Sequence, residues 1–387
     1  MRVNPLLYDF RVQMPSLYAP QQYVLKWIAT AHSKAEETAS GKRQEESQPR
    51  MERRVRRFGC SPENIGFRAS ELHDFQRSSW EEMTIFNLHE SPRGKSLGAR
   101  NQFFADTVSR VVDRFYKDEG ETPPADLVHV TCTGYASPSA IQQLVSRNGW
   151  GELTRTTQIY HMGCYASIPA LRVTAGLLLA PQKEGVSRAD IIHTELCSLH
   201  FNPIDHSPEQ FVVQSLFADG HIRYSMSIGE EAQAAIDKPA LEILAVREET
   251  VPDSLEDMTW ALSEFGFRMT LSREVPNKVA ARLPDFLVRL FNQAGKNYED
   301  SKEAAIFAVH PGGPRIIESV EELLDLRSDQ TAASHALLFE RGNMSSATLP
   351  HIWARIVEDA DVQTGTLIVS LGFGPGLTIA GALFRKR

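Results

Sequence analysis

The sequence predicts an α/β protein whose strands are buried and mainly parallel, arranged in two successive halves. From about residue 101 onward, apolar runs of strand length alternate with longer runs that have helical periodicity. The same alternation recurs after about residue 235, so we expect an N-terminal half at 1–235 and a C-terminal half at 236–387. A chain of 387 residues is long enough for two such halves, and no close sequence repeat relates them.

The first hundred residues give a weaker pattern. Residues 15–37 have helical periodicity, with Leu17, Val24 and Trp27 available for one apolar face. A polar stretch rich in Gln, Glu and Arg follows at residues 41–54 and is typical of a solvated helix or loop.

Further along the chain the elements become regular. Helical patterns that follow or precede apolar strands occur at residues 103–116, 137–145, 166–179 and 278–293, and after Gly313 and Ser345. Strand-like apolar runs occur at residues 127–133, 156–161, 189–201, 241–246, 304–309, 366–371 and 377–383. The last two strands flank a Gly-Pro turn at residues 374–376.

Composition excludes several classes of function. The formal net charge of −8 argues against a general nucleic-acid role. The four cysteines lack C-x-x-C spacing, so we expect reduced thiols in a cytoplasmic protein rather than a disulfide framework or a metal site. No signal-peptide pattern begins the sequence, and no apolar run of about 18 residues predicts a membrane span.

Cys164 is the first candidate for chemistry. It follows Gly163 where a predicted strand meets a predicted helix, and unpaired N–H groups at a helix start favour a thiolate over a thiol. A buried structural cysteine is the alternative interpretation of the same position.

His310 and Asn343 are the second and third candidates. His310 ends the apolar strand at residues 304–309 and precedes a glycine turn, at the sheet edge where ligands of open α/β folds usually bind. A hydrogen-bonded core histidine would give the same pattern. Asn343 follows Gly342 and precedes a Ser-Ser helix start, which is also ordinary turn and capping chemistry.

Read together, in this order and with these flanks, the three residues lie in a sequence that resembles the chalcone and stilbene synthase superfamily, the type III polyketide synthases. The resemblance runs from about Val128 to the C-terminus. Its motifs are Gly163-Cys164-Tyr165-Ala166, Phe217-Ala218-Asp219-Gly220, His310-Pro311-Gly312-Gly313-Pro314, Gly342-Asn343-Met344-Ser345-Ser346-Ala347 and Gly372-Phe373-Gly374-Pro375-Gly376. It implies a homodimer with a thiolase-like fold, in which two similar α/β halves form a layered α-β-α-β-α core.

The resemblance also implies a reaction and its residues. Cys164 would hold an acyl starter, His310 would stabilise its thiolate as an ion pair, and His310 and Asn343 would donate hydrogen bonds to the oxygen of a malonyl thioester as carbon dioxide leaves. Acyl-CoA and malonyl-CoA would be the substrates and no cofactor or metal would be needed. The product would be a pyrone, a resorcinol or a related phenol, as in bacterial members.

Other residues match the family with less defined roles. The substrate-binding candidates are Phe217 and Phe267 as gates, Cys197 and His200 as cavity residues, and Ser345, Gly312, Gly313 and Gly374 near the catalytic motifs. Period-two alternation along the predicted strand at residues 189–201 would let one of Cys197 and His200 face the cavity, and we expect Cys197. An arginine cluster at residues 50–57, with Arg56 and Arg57, suits the phosphates of CoA or an acidic carrier protein, and equally suits a solvated face.

Two other functions remain open. A single-step ketoacyl synthase or acyltransferase of the same fold could use acyl-CoA or an acyl carrier protein. An inactive subunit of the same fold, serving as a partner, is a different class, and the intact Cys164, His310 and Asn343 argue against it.

Overall fold

The computed structural model describes residues 4–42, 45–117, 122–180, 188–229 and 238–387. The predicted boundary between the halves, at residue 235, lies outside the described residues. Among them, no helix is long and apolar enough to cross a membrane.

Most of the strands form one large sheet. The strands, in chain order, are β1 (Leu6–Gln13), β2 (Leu17–Pro20), β3 (Phe67–Ser70), β4 (Asp126–Thr131), β5 (Arg155–Tyr160), β6 (Arg188–Leu196), β7 (Asp219–Ser227), β8 (Leu241–Thr250), β9 (Met258–Ser263), β10 (Gly266–Leu271), β11 (Ile306–Val309), β12 (Leu367–Gly374) and β13 (Thr378–Lys386). Within the described residues the large sheet has the order β11-β12-β13-β8-β1-β7-β6-β4-β5, and β2–β3 and β9–β10 form two-stranded sheets.

The sheet is mixed, so the expectation of mainly parallel strands is wrong. β4 pairs in parallel with β5 and β6, and β11 with β12, whereas the other neighbours in the sheet are antiparallel. The reason is clearest at β12 and β13, because the turn at residues 375–377 that joins them is far shorter than a parallel crossover requires.

Helices cover both faces of the sheet and also pack between its N-terminal and C-terminal strands. They are α1 (Gln21–Ser40), α2 (Ser47–Phe58), α3 (Leu97–Phe115), α4 (Ala140–Arg147), α5 (Ser167–Leu179), α6 (Pro208–Leu216), α7 (Val275–Ala280), α8 (Leu283–Gln293), α9 (Tyr298–Lys302), α10 (Pro314–Leu324), α11 (Ser328–Arg341) and α12 (Thr348–Glu358). Short 3-10 helices lie at His73–Gln76, Trp80–Glu82, Cys197–His200 and Ser345–Ala347.

The packing gives the layers of a thiolase-like fold. α5 contacts β4 and β6 of the N-terminal half as well as β8 and β13 of the C-terminal half, and α12 likewise contacts β7 and β11. These two helices form the middle layer. α3 covers the outer face of the N-terminal strands and α8 that of the C-terminal strands. The fold class that the resemblance implied is confirmed.

Three predicted elements differ in the type or number of elements that the structure has there. The helix expected at residues 15–37 is strand β2 followed by a helix that begins at Gln21, because Pro20 is held in an extended conformation before it. The helix expected at residues 278–293 is two helices, and Pro284 occupies the first turn of the second. The strand expected at residues 189–201 ends at Leu196 and passes directly into a 3-10 helix.

Candidate active site

Gly163 shapes the chain just before the candidate nucleophile. Its φ of 86° is in the left-handed region, and a Cβ added there would lie 2.3 Å from Cδ of Pro375. Gly374 is packed just as closely, since a Cβ added there would lie 2.1 Å from Cδ1 of Tyr165. The Gly-Pro turn after β12 therefore presses against the segment that carries Cys164, and any side chain at Gly163 would separate them.

Cys164 is buried in a turn three residues before α5 begins. Its Sγ lies 3.9 Å from Oγ of Ser345, which can act as its hydrogen-bond partner. Burial raises the pKa of the Cys164 thiol to about 12, and the charge of Glu195 adds to that rise. The nearby Ser345 and Asn343 side chains partly oppose that rise in pKa, because each lies close enough to donate a hydrogen bond to the sulfur once it is a thiolate.

His310 immediately follows β11, and a backbone hydrogen bond holds it against β12. Its N–H donates to the carbonyl of Leu371 on β12 at 2.8 Å, next to Gly372, which packs against Tyr165. The side chain is buried, and both Nδ1 and Nε2 lack a hydrogen-bond partner among the described residues. Burial lowers the pKa of His310 to about 3, so the isolated imidazole is neutral. It makes no hydrogen bond to Cys164 in this structure.

Asn343 is held from both sides by the loop after α6. Its N–H donates to the carbonyl of Leu216 at 3.0 Å, and its carbonyl accepts from the N–H of Ala218 at 2.8 Å. Its side-chain Oδ1 accepts from the N–H of Ser345 at 2.8 Å and from Oγ1 of Thr348 at 3.4 Å. That contact to a backbone donor fixes the amide orientation. Nδ2 is consequently a buried donor with no partner among the described residues.

A cavity of about 70 Å³ opens beside Cys164. Of the residues predicted from the sequence, it brings together Cys164, Cys197, His200, Phe217, Phe267 and Ser345 in its lining. Both Cys197 and His200 contribute, although strand alternation allowed one of them. The prediction of that register is wrong because these residues lie in a 3-10 helix, where positions three apart share a face.

His200 fixes the wall formed by the β9–β10 hairpin. Its Nε2 donates to the carbonyl of Thr133 at 2.9 Å, and its Nδ1 accepts from the N–H of Phe267 at 3.1 Å. The ring is stacked on Phe267 with 4.3 Å between centroids. Trp260 adds a third hydrogen bond to this wall, since its Nε1 donates to the carbonyl of Cys132 at 2.7 Å. Burial lowers the pKa of His200 to about 3, which keeps this acceptor neutral.

Other predicted residues lie elsewhere. Gly312 and Gly313 follow His310, and Gly374 packs on Tyr165, but they do not contribute to the lining of this cavity. Arg56 and Arg57 are exposed on α2, which packs against α6, and α6 in turn lines the cavity through Gln210, Val213 and Gln214.

The cavity also contains residues that sequence reasoning missed. Cys132, at the end of β4, accepts the N–H of Gly163 on its Sγ at 2.9 Å, and Arg68 and Trp260 line the cavity from β3 and β9. Glu195 is buried nearby and accepts from Oγ1 of Thr133 at 2.8 Å and from Ser346. Glu195 could have been singled out from the sequence because it is a charged residue inside an otherwise apolar strand. Within the described ranges, no group of three or more His, Cys, Asp or Glu side chains could hold a metal ion.

Two family models match the chain. The model described as chalcone and stilbene synthases, N-terminal domain, matches residues 117–229, and the C-terminal domain of the same family matches residues 242–386. Together they span about two thirds of the chain.

Solved structures are similar over nearly the whole length. PKS-I from the brown alga Ectocarpus siliculosus is 23% identical with a TM-score of 0.81, over 100% of this chain and 99% of that one. The C-terminal type III polyketide synthase domain of Steely1, a type I/III hybrid from Dictyostelium, is 23% identical with a TM-score of 0.79, over 99% of each chain. The 1,3,6,8-tetrahydroxynaphthalene synthase of Streptomyces coelicolor, a bacterial type III polyketide synthase, is 21% identical with a TM-score of 0.74, over 98% of each chain. At these identities the likeness establishes the fold.

Proposed function

The chain belongs to the chalcone and stilbene synthase family and is a type III polyketide synthase; we propose that it holds an acyl starter on Cys164 and extends it by decarboxylative condensation with malonyl thioester units. One observation carries the proposal. His310 and Asn343 keep buried N–H donors without partners among the described residues, and Asn343 lies close to the buried thiol of Cys164. Buried donors are normally paired, so an unpaired set is suited to an oxygen that the substrate supplies.

The first step is transfer of the acyl group. The thiol and the imidazole are each neutral on their own, because burial raises the pKa of Cys164 and lowers that of His310. Moving the proton from Sγ to His310 creates two opposite charges, each of which lowers the cost of burying the other. Ser345 and Asn343 hydrogen-bond to the resulting thiolate. The thiolate attacks the acyl thioester, and the departing CoA sulfur takes the proton from His310.

The second step uses the donors in their neutral form. A malonyl thioester oxygen accepts hydrogen bonds from a ring N–H of His310 and from Nδ2 of Asn343. As the carboxylate leaves as carbon dioxide, this oxygen becomes an enolate, and each aimed donor stabilises it by about 3 kcal/mol. The enolate carbon then attacks the acyl carbon on Cys164, the Sγ leaves, and the chain is two carbons longer.

The product class is proposed as a pyrone, a resorcinol or a related phenol. Family membership supports it, as does the small cavity, whose exposed lining is mostly carbon. The name of the Streptomyces relative states a phenolic product, which points the same way.

The remaining expectations belong to the same proposal. We propose acyl-CoA and malonyl-CoA as substrates, a homodimer, a cytoplasmic location, and a reaction that uses no cofactor. Arg56 and Arg57 would bind CoA phosphates, because exposed guanidinium groups on α2 lie next to the helix that lines the cavity.

A product assay tests the proposed function. The protein is incubated with malonyl-CoA and a panel of fatty and aromatic acyl-CoA starters, and products are identified by mass spectrometry, with Cys164→Ala as the variant and Cys60→Ser as a matched buried-thiol control away from the cavity. We expect starter-dependent products with two or more extensions, lost in Cys164→Ala and retained in Cys60→Ser. Products with one extension would support the single-step ketoacyl synthase instead, and no turnover of any starter would contradict the proposal.

A further inference from the structure

Arg68 is a buried cation in the wall of the same cavity. It lies on β3, and its neighbour across the strand pair, Ala19 on β2, lines the cavity with it. Its Nη1 donates to the carbonyls of Gln214 and Phe217, each at 2.8 Å. A Cβ on Gly342 would lie 3.2 Å from Cγ of Arg68, so the side chain packs directly against the turn that carries Asn343.

The other edge of the Arg68 guanidinium is unpaired. Nε and Nη2 are buried without a hydrogen-bond partner, and no carboxylate of the described residues lies within 4.0 Å of the group. The same Nε–Nη2 edge binds carboxylates elsewhere in this chain. Arg155 holds Asp126 at 2.9 and 2.7 Å, and Arg289 holds Glu249 at 2.8 Å through both nitrogens. Arg68 therefore lines the cavity and keeps an unused Nε–Nη2 edge, of the kind that pairs with carboxylates elsewhere in the chain.

The charge on Arg68 is retained at neutral pH. Burial lowers the pKa of Arg68 to about 10, a shift that Cys60 and Asp219 partly oppose. Asp219 is occupied with the N–H of Glu71 at 2.7 Å and the N–H of Ser198 at 2.8 Å. A buried charge without a close counter-ion is costly, so an anion that reaches Arg68 gains binding free energy.

We propose that Arg68 is a carboxylate subsite of the condensing cavity and that it selects acyl starters whose far end carries a carboxylate. The proposal rests on the proposed function, since it names the substrate class of that site. Apolar residues on the adjoining strand and helix, Leu17, Ala19 and Val24, would line the methylene chain between the thioester and the carboxylate. The malonyl carboxylate is a poorer candidate. A bidentate guanidinium would stabilise it in the ground state and oppose the loss of carbon dioxide.

Chain-matched starters test the subsite. Loading of Cys164 is followed by intact-protein mass spectrometry with the pairs succinyl-CoA and butyryl-CoA, glutaryl-CoA and pentanoyl-CoA, and adipyl-CoA and hexanoyl-CoA. For at least one pair we expect the carboxylate starter to load about tenfold faster or more, as a charge-assisted bidentate contact gives. Arg68→Met should remove that preference and Arg68→Lys should reduce it. Arg289→Met, whose guanidinium is engaged with Glu249, is the control and should retain it.

Each outcome separates the subsite from the proposed function. If methyl-terminated starters load and no carboxylate starter is preferred at any length in the wild type, the subsite is wrong while the condensing function stands. That comparison also holds if Arg68→Met fails to fold. A preference that persists in both Arg68 variants would overturn the assignment as well. A selective rise in KM for malonyl-CoA in Arg68→Lys would make the malonyl carboxylate the occupant and contradict the starter assignment. If no starter loads on Cys164, the proposed function itself fails.

Discussion

The catalytic motifs and the cavity wall differ in how their polar groups are hydrogen-bonded. In the catalytic motifs, His310 and Asn343 keep N–H donors that have no partner among the described residues, and neither residue lines the cavity. Along the β9–β10 hairpin, by contrast, every ring nitrogen of His200 and Trp260 is hydrogen-bonded to the backbone. The unpaired donors can serve a reacting oxygen, and the paired ones hold the cavity shape. Substitutions in the catalytic motifs should therefore change rates, and those in the cavity wall should change stability and product.

His310→Gln should give the largest effect. Without the imidazole, Cys164 has no base and the malonyl oxygen loses a donor, so we expect loading and decarboxylation to fall by about 10³-fold. Because the ring has no hydrogen-bond partner in the part of the chain that the structure describes, the free energy of unfolding should change by about 1 kcal/mol or less. Single-turnover loading and urea unfolding measure the two quantities. Loading within tenfold of wild type would contradict the assignment.

The pH dependence of Cys164 alkylation sharpens the same prediction. In His310→Gln no imidazole takes the thiol proton, and burial keeps the pKa of Cys164 high, so the thiolate fraction should rise about tenfold per pH unit from pH 7 to 10. In the wild type, proton transfer to His310 should make the rate less steep over that range. Iodoacetamide labelling with peptide mapping measures it, and equal slopes in the two proteins would argue against the Cys164–His310 pair.

Asn343→Ala should slow malonyl decarboxylation much more than acyl loading. The variant loses one donor to the enolate oxygen, so malonyl decarboxylation should slow by about 10²-fold. Acyl loading should stay within about fivefold of wild type, because Ser345 can still donate to the thiolate and His310 still takes the thiol proton. Carbon dioxide release and acyl loading are measured separately. Unchanged decarboxylation would remove Asn343 from the site.

His200→Phe should affect stability more than chemistry. Phenylalanine can keep the stacking on Phe267 but leaves the carbonyl of Thr133 and the N–H of Phe267 unpaired, at a cost of about 2 kcal/mol in the free energy of unfolding. The pKa of His200 is about 3 when folded and about 6.5 when unfolded, so its neutral form contributes stability above pH 6.5 that is lost as the pH falls towards 3.

The variant should consequently lose part of the acid sensitivity. Between pH 4 and 6 the slope of unfolding free energy against pH should be smaller by about 1.4 kcal/mol per unit than in the wild type. Urea titrations at several pH values measure it. An identical slope would mean that His200 is not held neutral in the folded protein.

Cys197→Trp should have the mildest effect, confined to which chains fit. Cys197 lines the cavity, and a larger side chain there should shorten the accepted starter or the final ketide while acetyl loading on Cys164 continues. His200→Ala should also shift the product profile, because both residues share one face of the 3-10 helix. A profile unchanged in both variants would contradict the cavity assignment.

The sequence predicts the features that depend on neighbouring residues. Strands β4, β5 and β11 and helix α5 were predicted because apolar runs and helical periodicity report burial locally. Cys164, His310 and Asn343 were candidates because each follows a glycine or precedes a glycine turn, and their roles came from the family resemblance of the combined motifs.

The rest depends on contacts between distant segments. β7 was missed because His221, Arg223 and Ser225 interrupt its apolar pattern, yet the strand is buried and Ser225 Oγ donates to Asp190 at 2.7 Å. The 3-10 helix at Cys197–His200 is fixed by the Thr133 carbonyl and the Phe267 N–H, and neither is visible from neighbouring residues. Arg68, far upstream, reaches the cavity through the β2–β3 pair, and no strand pattern predicted either of these two strands.

The most direct test of the account asks which sulfur carries the acyl group. Cys132, Cys164 and Cys197 all line the cavity, so position alone does not choose between them. Ser345 lies near both Cys164 and Cys132, whereas Asn343 is placed to stabilise a thiolate at Cys164. After a brief incubation with an acyl-CoA starter, peptide mapping by mass spectrometry should find the acyl thioester on Cys164 and none on Cys132 or Cys197. A starter carried by Cys132 or Cys197, with Cys164 unmodified, would contradict the account.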